Sequence, residues 1–181
     1  RRDLRDRFVI TIDPVDARDF DDAISLERTS EGGYKLGVHI ADVSHYVAWD
    51  GHIDLEARRR TTSVYLADRV LPMLPERLSN DLCSLRPDED RLAFTVDIEL
   101  DAQGRVRAYD PYPSVIRSRV RMDYDGAEAL LARAGVVVLG DVEGAPEDVA
   151  AVEAAREVST AAALIMGDET QEAEEGKADE R

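Results

Sequence analysis

The sequence is poor in residues that cross-link a chain or carry it through a membrane. Cys83 is the only cysteine, so it has no disulfide partner within the chain, and its leucine-rich surroundings predict buried packing rather than a nucleophile. No apolar run approaches the roughly 18 residues of a membrane span, and no charged-then-apolar signal segment opens the chain. We therefore expect a soluble, cytoplasmic protein with no membrane partner.

Histidines are also scarce. The three present, at positions 39, 45 and 52, form no spaced metal-binding motif such as His-Glu-x-x-His. His39 and His45 fall in a segment that alternates like a strand, which predicts packing and hydrogen bonding rather than catalysis.

Length and periodicity define the fold class. At 181 residues and 44% hydrophobic content, the chain can form one domain with a substantial core. The pattern is strand-rich and then helical, and it predicts an α+β fold in which peripheral helices flank a mixed sheet. The predicted strands cover residues 8–12, 23–28, 34–43, 92–100, 105–109 and 115–122, and the predicted helices cover 53–60, a start at 75–78, 126–134 and 146–166.

Four aspartates lie within ten residues of one another, immediately after the strand-like segment 8–12. We call Asp13, Asp19, Asp21 and Asp22 the acidic quartet, and residues 13–22 the acidic loop. Carboxylates this close repel one another, and their hard oxygen ligands suit magnesium or manganese. An acidic, solvated loop is the alternative, because charge runs usually face water. The strands expected on both sides favour the metal site, since they would hold the loop at both ends.

Several separated blocks, in order, resemble one known family. These blocks are the stretch 11–24, Val38-His39-Ile40-Ala41-Asp42-Val43-Ser44-His45-Tyr46-Val47, Thr62-Ser63-Val64-Tyr65-Leu66, and the stretch 71–85 from Leu-Pro-Met-Leu-Pro to Cys-Ser-Leu. Together they resemble the RNB catalytic domain of the RNase II and RNase R exoribonucleases. The resemblance covers residues 1 to about 134, and more loosely continues to about 165.

The resemblance implies a hydrolytic 3′-to-5′ exoribonuclease that releases nucleoside 5′-monophosphates from single-stranded RNA. Carried over position by position, the acidic quartet matches the family's catalytic, magnesium-binding aspartates in type and spacing. Asp16 lies outside that set and is interpreted as a surface residue. Tyr65 matches the position whose ring stacks on a base near the RNA 3′ end. By residue type alone, a strand tyrosine packed in the core is the favoured interpretation of Tyr65, but the surrounding Thr-Ser-Val-Tyr-Leu motif reverses that preference.

The charge is unusual for an RNA-binding protein. The formal net charge is -16, of which -10 falls in residues 141–181 and -6 in residues 1–140. The basic residues of the main body are nearly all arginines, including the run 58–60 and the alternating positions 105, 107, 117, 119 and 121. Arginine suits bidentate phosphate contacts, but these positions could equally be the solvated face of a sheet.

Residues 167–181 differ in composition from the rest and contain no residue that could anchor a core. The resemblance implies an RNB-like domain over 1–166, its N-terminal portion, and the composition predicts an acidic disordered tail over 167–181. Further RNA-binding domains would lie outside this chain. On this interpretation the chain alone binds magnesium but degrades RNA poorly. Two functions therefore stay open. The chain is either an exoribonuclease domain, or a non-catalytic RNA-binding fragment or inactive remnant of such an enzyme. The Tyr65 and 71–85 blocks disfavour a third function, a magnesium-dependent phosphatase.

Overall fold

The computed structural model describes residues 1–133, and the predicted helix 146–166 and acidic tail 167–181 lie outside that range. The strands, in chain order, are β1 (Arg2–Asp3), β2 (Ile10–Ile12), β3 (Asp22–Arg28), β4 (Tyr34–Ala41), β5 (Val64–Tyr65), β6 (Val70–Leu71), β7 (Asp90–Leu100), β8 (Val106–Arg117) and β9 (Val120–Met122). The helices are α1 (His52–Arg60) and α2 (Tyr124–Arg133), with a 3₁₀ turn at Val43–His45 and a π-helical turn at Leu78–Leu82.

Seven strands form one mixed sheet in the order β1-β8-β7-β4-β3-β2-β9, and β5 pairs with β6 as a separate hairpin. The pairs β1–β8 and β2–β9 are parallel, and the remaining neighbours are antiparallel. The predicted α+β class with a mixed sheet and peripheral helices is confirmed. Asp123 caps α2 as expected, since its Oδ1 accepts a hydrogen bond of 2.7 Å from the Gly126 amide.

Two element predictions were wrong. Residues 105–109 and 115–122 were expected to form separate strands, but β8 runs continuously through Pro111 and Pro113 and ends before β9. Prolines are tolerated there because β1 pairs with β8 only at Ser114 and Val115, which leaves the proline-bearing stretch on an edge. His45 was expected in a strand, but β4 ends at Ala41 and His45 lies in the 3₁₀ turn.

A line of polar side chains crosses the buried face of the sheet. His39 on β4 is fully buried, with its ring nitrogens 2.9 Å from the Ser25 hydroxyl and 2.8 Å from the Thr95 hydroxyl. Thr95 continues the line to Ser114 on β8 at 2.7 Å. A side chain at Gly37 would collide with the Ser25 hydroxyl, so only glycine leaves room for this line. Burial and the positive charge of Arg7 lower the pKa of His39 to about 4, so its ring is neutral at pH 7.

The hydrophobic core is formed by residues of the sheet together with residues of the segments that connect its strands. Val9, Phe20, Leu85 and Ile116 belong to one buried cluster, in which Phe20 comes from the acidic loop. Cys83 is 1% exposed in the same cluster, as predicted, and burial raises the pKa of its thiol. The acidic loop is therefore anchored in the core by its own phenylalanine.

Candidate active site

The acidic quartet is positioned by the ends of two neighbouring strands. Asp13 directly follows β2, and its amide donates a 3.1 Å hydrogen bond to the Met122 carbonyl of β9. Asp22 is the first residue of β3, and the carbonyl of Asp21 accepts a 2.8 Å hydrogen bond from the Ala41 amide at the end of β4. Since β2 and β3 pair side by side, the first and last members of the quartet lie at the same end of the sheet.

Between those strands the loop has no regular structure, and distant side chains hold its backbone. Ser84 accepts a hydrogen bond from the Phe20 amide at 3.1 Å and donates one to the Arg18 carbonyl at 2.8 Å. Arg121 on β9 donates to the carbonyls of Pro14 and Val15 at 3.0 and 2.7 Å. Both halves of the loop are thus fixed from outside it.

The electrostatics of the site are dominated by uncompensated negative charge. Within residues 1–133, none of the four carboxylates forms an ion pair with a basic side chain. Partial burial of its carboxyl group, followed by the charges of the other three members, raises the pKa of Asp21 to about 6. Burial and then the charge of Asp22 also raise the pKa of Asp13. For Asp13, the positive charge of Arg121 opposes these causes but does not outweigh them.

Asp13 has a carboxylate oxygen whose hydrogen-bonding capacity is unsatisfied. Its Oδ2 atom is buried and has no hydrogen-bond partner among the described residues. A buried carboxylate oxygen without a donor costs free energy, so it is a natural ligand position for a cation. As the side chains stand, however, no group of three or more histidine, cysteine, aspartate or glutamate residues in 1–133 is arranged to ligate an ion.

An open cavity of about 660 Å³ connects the quartet to the other sequence-predicted site residue, Tyr65. Its walls carry a mixture of acidic, hydroxyl, amide and apolar side chains. The lining consists of Asp13, Pro14, Asp16, Ala17, Arg18, Asp19, Asp21, Asp22, Ser63, Tyr65, Val70, Pro72, Glu76, Ser79 and Asn80. All five predicted site residues therefore face one space.

Tyr65 lies on the short β5–β6 hairpin and does not pack in the core. It is 69% exposed. The negative charge of Asp19, together with burial and then Asp21, raises the pKa of the Tyr65 phenol, so its hydroxyl lies beside the quartet. Its side chain lines the acidic cavity and is open to solvent, so the ring is accessible to a stacking base.

Several lining and bracing residues were missed by sequence reasoning. Ser79 and Asn80 lie on the π-helical turn across the cavity from the quartet, and the Ser79 hydroxyl donates to the Asn80 side-chain oxygen at 2.9 Å. Both residues lie in the 71–85 block that resembles the family, so that block was the signal in the sequence that could have identified them. Asp16 is exposed as expected, although it also lines the cavity.

The strand arginines make contacts within the protein. Arg107 pairs with Asp101 at 2.6 Å and Arg117 with Asp90 at 2.7 Å, while Arg119 donates to the Arg5 carbonyl at 3.2 Å. In the run 58–60, Arg58 pairs with Asp54 at 2.6 Å and lies over the Trp49 ring. Of the five alternating arginines, Arg121 is the one whose contacts reach the acidic loop.

The raised pKa of Asp21 predicts a pH-dependent stability difference in metal-free protein. Because the folded pKa of about 6 exceeds the ordinary 3.8, the contribution of this carboxyl to folding is fully present below about pH 3.8 and lost as the pH rises through 6. Asp21→Asn cannot ionise, so the variant is expected to be more stable than the parent at about pH 7. The difference should shrink as the pH falls to about 4. Urea unfolding in a chelator at both pH values measures it, and a pH-independent difference would contradict the electrostatic origin.

Comparison with known proteins places these features in context. The family profile described as RNB domain matches residues 1–162. Ribonuclease R of Thermotoga maritima is 57% identical over 131 residues, which cover 72% of this chain and 18% of that protein. Ribonuclease R of Aquifex aeolicus is 56% identical over 131 residues, covering 72% of this chain and 19% of that protein. The chain thus spans less than a fifth of the length of these curated relatives.

Solved structures share the fold. Mycoplasma genitalium RNase R in complex with double-stranded RNA superposes with a TM-score of 0.73 and 37% identity, covering 93% of this chain and 28% of that one. Yeast Ssd1, a pseudonuclease, superposes with a TM-score of 0.67 at 21% identity, over 73% of this chain and 16% of that one. At that identity the likeness concerns the fold alone, so catalysis has to be argued from the residues of the site.

Proposed function

This chain belongs to the RNB family of RNA-degrading exoribonucleases, and we propose that its acidic cavity is the active site of a metal-dependent 3′-to-5′ exoribonuclease acting on single-stranded RNA. The observation that carries the proposal is the convergence of four aspartates and an exposed tyrosine on one cavity. The buried, unpartnered Oδ2 of Asp13 supports a cation there. No helix of the described residues is long and apolar enough to cross a bilayer.

The acidic quartet would hold one or two magnesium ions, with manganese as a substitute, because carboxylate oxygens are the ligands these ions prefer. When bound, such an ion supplies a water of lowered pKa and stabilises charge that develops on the phosphate and the departing 3′-oxygen. The chain's own carboxylates provide the negative field that draws the cation into the cavity. Rigid attachment of Asp13 to β2 and of Asp22 to β3 limits the reorganisation needed on binding.

The remaining lining residues would position RNA. Tyr65 offers a flat face to the terminal base, and such stacking is tolerant of sequence because every base has a π-face. The hydroxyl of Ser63 and the amide of Asn80 face the same cavity and can hydrogen-bond ribose or phosphate oxygens. The product would be a nucleoside 5′-monophosphate.

A hybrid enzyme tests this proposal. The segment of Thermotoga maritima ribonuclease R that aligns with this chain would be replaced by the corresponding residues of this chain, which share 57% identity with it. The hybrid is expected to release mononucleotides from a 5′-labelled, single-stranded oligoribonucleotide when magnesium is added, and to stop when it is chelated. A hybrid that folds and binds RNA but releases no nucleotide would contradict the proposal and favour a non-catalytic RNA-binding role.

Replacing Tyr65 with alanine should weaken the grip on the RNA 3′ end without abolishing cleavage. Loss of one stacking platform is expected to cost about 1–3 kcal/mol in binding and to change the length of the final undegraded product. Fluorescence anisotropy with a labelled oligoribonucleotide measures the affinity. Tyr109→Ala is the matched control, because Tyr109 is 72% exposed, similar to Tyr65 at 69%, but lies on β8 outside the cavity. Equal effects of the two substitutions would remove Tyr65 from the binding site.

A further inference from the structure

Asp19 lies in the least regular part of the acidic loop. Residues 13–21 contain no strand or helix, so hydrogen bonds between neighbouring strands do not fix the Asp19 backbone. The other three members of the quartet line the same cavity and repel its side chain. An external contact is therefore needed to hold Asp19 near the other members of the quartet.

Ser84 provides that contact through a single buried hydroxyl. Its Oγ accepts a hydrogen bond from the amide of Phe20 at 3.1 Å and donates one to the carbonyl of Arg18 at 2.8 Å. These two groups belong to the residues immediately before and after Asp19. The hydroxyl thus bridges the backbone on both sides of Asp19, although Ser84 lies 64 positions after Phe20 and 66 positions after Arg18 in the sequence.

The surroundings of Ser84 make the bridge rigid. Ser84 has no exposed surface, and its neighbours Cys83 and Leu85 are both in the hydrophobic core. The Leu85 amide also donates to the Phe20 carbonyl at 2.9 Å. A hydroxyl locked in the core can transmit a fixed position to the loop, and water cannot readily replace it there.

We infer that Ser84 is a positioning residue that sets the place of Asp19 in the acidic quartet, and hence the affinity of the cavity for a divalent cation. This inference rests on the proposed metal-dependent function. Removal of the hydroxyl leaves the Arg18 carbonyl and the Phe20 amide without their partner, so the segment around Asp19 relaxes away from the other carboxylates. Partners of this indirect kind typically contribute roughly 10- to 100-fold to metal affinity.

The test uses the full 181-residue chain and Mn²⁺ as the probe. Ser84→Ala is expected to weaken Mn²⁺ binding, measured by electron paramagnetic resonance of the free ion, by roughly tenfold or more. Hydrogen exchange of the Phe20 amide should accelerate more than that of amides elsewhere in the sheet. Ser84→Cys, which fills nearly the same space with a poor hydrogen-bonding group, is the second variant in case the alanine variant unfolds, and it should show the same losses.

Ser114→Ala is the matched control. Ser114 is equally buried and its hydroxyl is also hydrogen-bonded, to Thr95 at 2.7 Å and to the Ala93 carbonyl at 3.3 Å, but it does not contact the acidic loop. This control should lose stability without losing Mn²⁺ affinity. Folded Ser84 variants with unchanged Mn²⁺ affinity would overturn the positioning role, whereas a parent chain that binds no Mn²⁺ would overturn the proposed metal site itself.

Discussion

Asp21→Asn in the hybrid ribonuclease is expected to abolish hydrolysis while RNA binding largely persists. Asp21 lies among three other carboxylates, whose charges, together with burial of its own carboxyl, raise its pKa to about 6. Under the proposed function, substitution removes one negative ligand and weakens cation positioning, and a misplacement of about 1 Å can cost around a hundredfold in rate. We expect a loss of at least that size in single-turnover release of mononucleotides, with oligoribonucleotide affinity changed much less.

Asp16→Asn is the control for that experiment. It removes the same charge from the same loop, but Asp16 lies outside the quartet. Near-normal turnover of the Asp16 variant would show that the loss at position 21 does not reflect the total charge of the loop. Near-normal turnover of the Asp21 variant in magnesium would remove that residue from the mechanism.

Asp97→Ala is expected to be the most destabilising single substitution among the ion pairs described. The Asp97 side chain is 4% exposed and receives hydrogen bonds from Arg7 at 2.6 Å and from the Tyr112 hydroxyl at 2.6 Å, with the Lys35 ammonium at 3.1 Å. Burial alone would raise its pKa, but these donors outweigh burial and hold it well below the usual range. Removing the carboxylate leaves the partly buried Arg7 with only the more exposed Glu27, at 3.4 Å, as a charged partner. Breaking a buried pair in this way typically costs about 3–5 kcal/mol.

Urea unfolding of Asp97→Ala should show that loss, and Asp110→Ala provides the comparison. Asp110 lies directly opposite Asp97 on β8 and pairs with Arg2 at 2.6 Å, but its side chain is 57% exposed. Exposed pairs of this kind contribute about 0–1 kcal/mol. Similar losses at both positions would mean that burial does not set the strength of the Asp97 network.

The pH dependence of the free energy of unfolding should also show the contribution of Asp97. Because the folded pKa of Asp97 is depressed, its contribution to stability is present above the ordinary carboxylate pKa of 3.8 and is lost as the pH falls below that value. The contribution of Asp21 to stability has the opposite sign. Because its pKa is raised, the ionised Asp21 carboxylate destabilises the folded state at neutral pH. Ion pairs elsewhere on the sheet therefore offset the repulsion within the acidic loop.

Local pattern predicted the acidic quartet and most of the strands, whereas Tyr65 was predicted through the family resemblance. The acidic quartet follows a β-rich segment, which was enough to place Asp13 and Asp22 at strand ends. Alternation in 92–100 and the Gly-rich turn at 30–33 likewise predicted β7 and the β3–β4 hairpin. These features depend on neighbours within a few residues, which is the range over which side-chain periodicity carries information.

Contacts between distant segments decided the rest. Whether Tyr65 packs in the core or faces the cavity depends on where the β5–β6 hairpin docks, and no local pattern encodes that. Periodicity could not show that Ser84 bridges the backbone around Asp19, or that Arg121 contacts the other half of the loop. These contacts join residues more than sixty positions apart in the sequence. They form only because the folded sheet and core bring these residues next to the acidic loop.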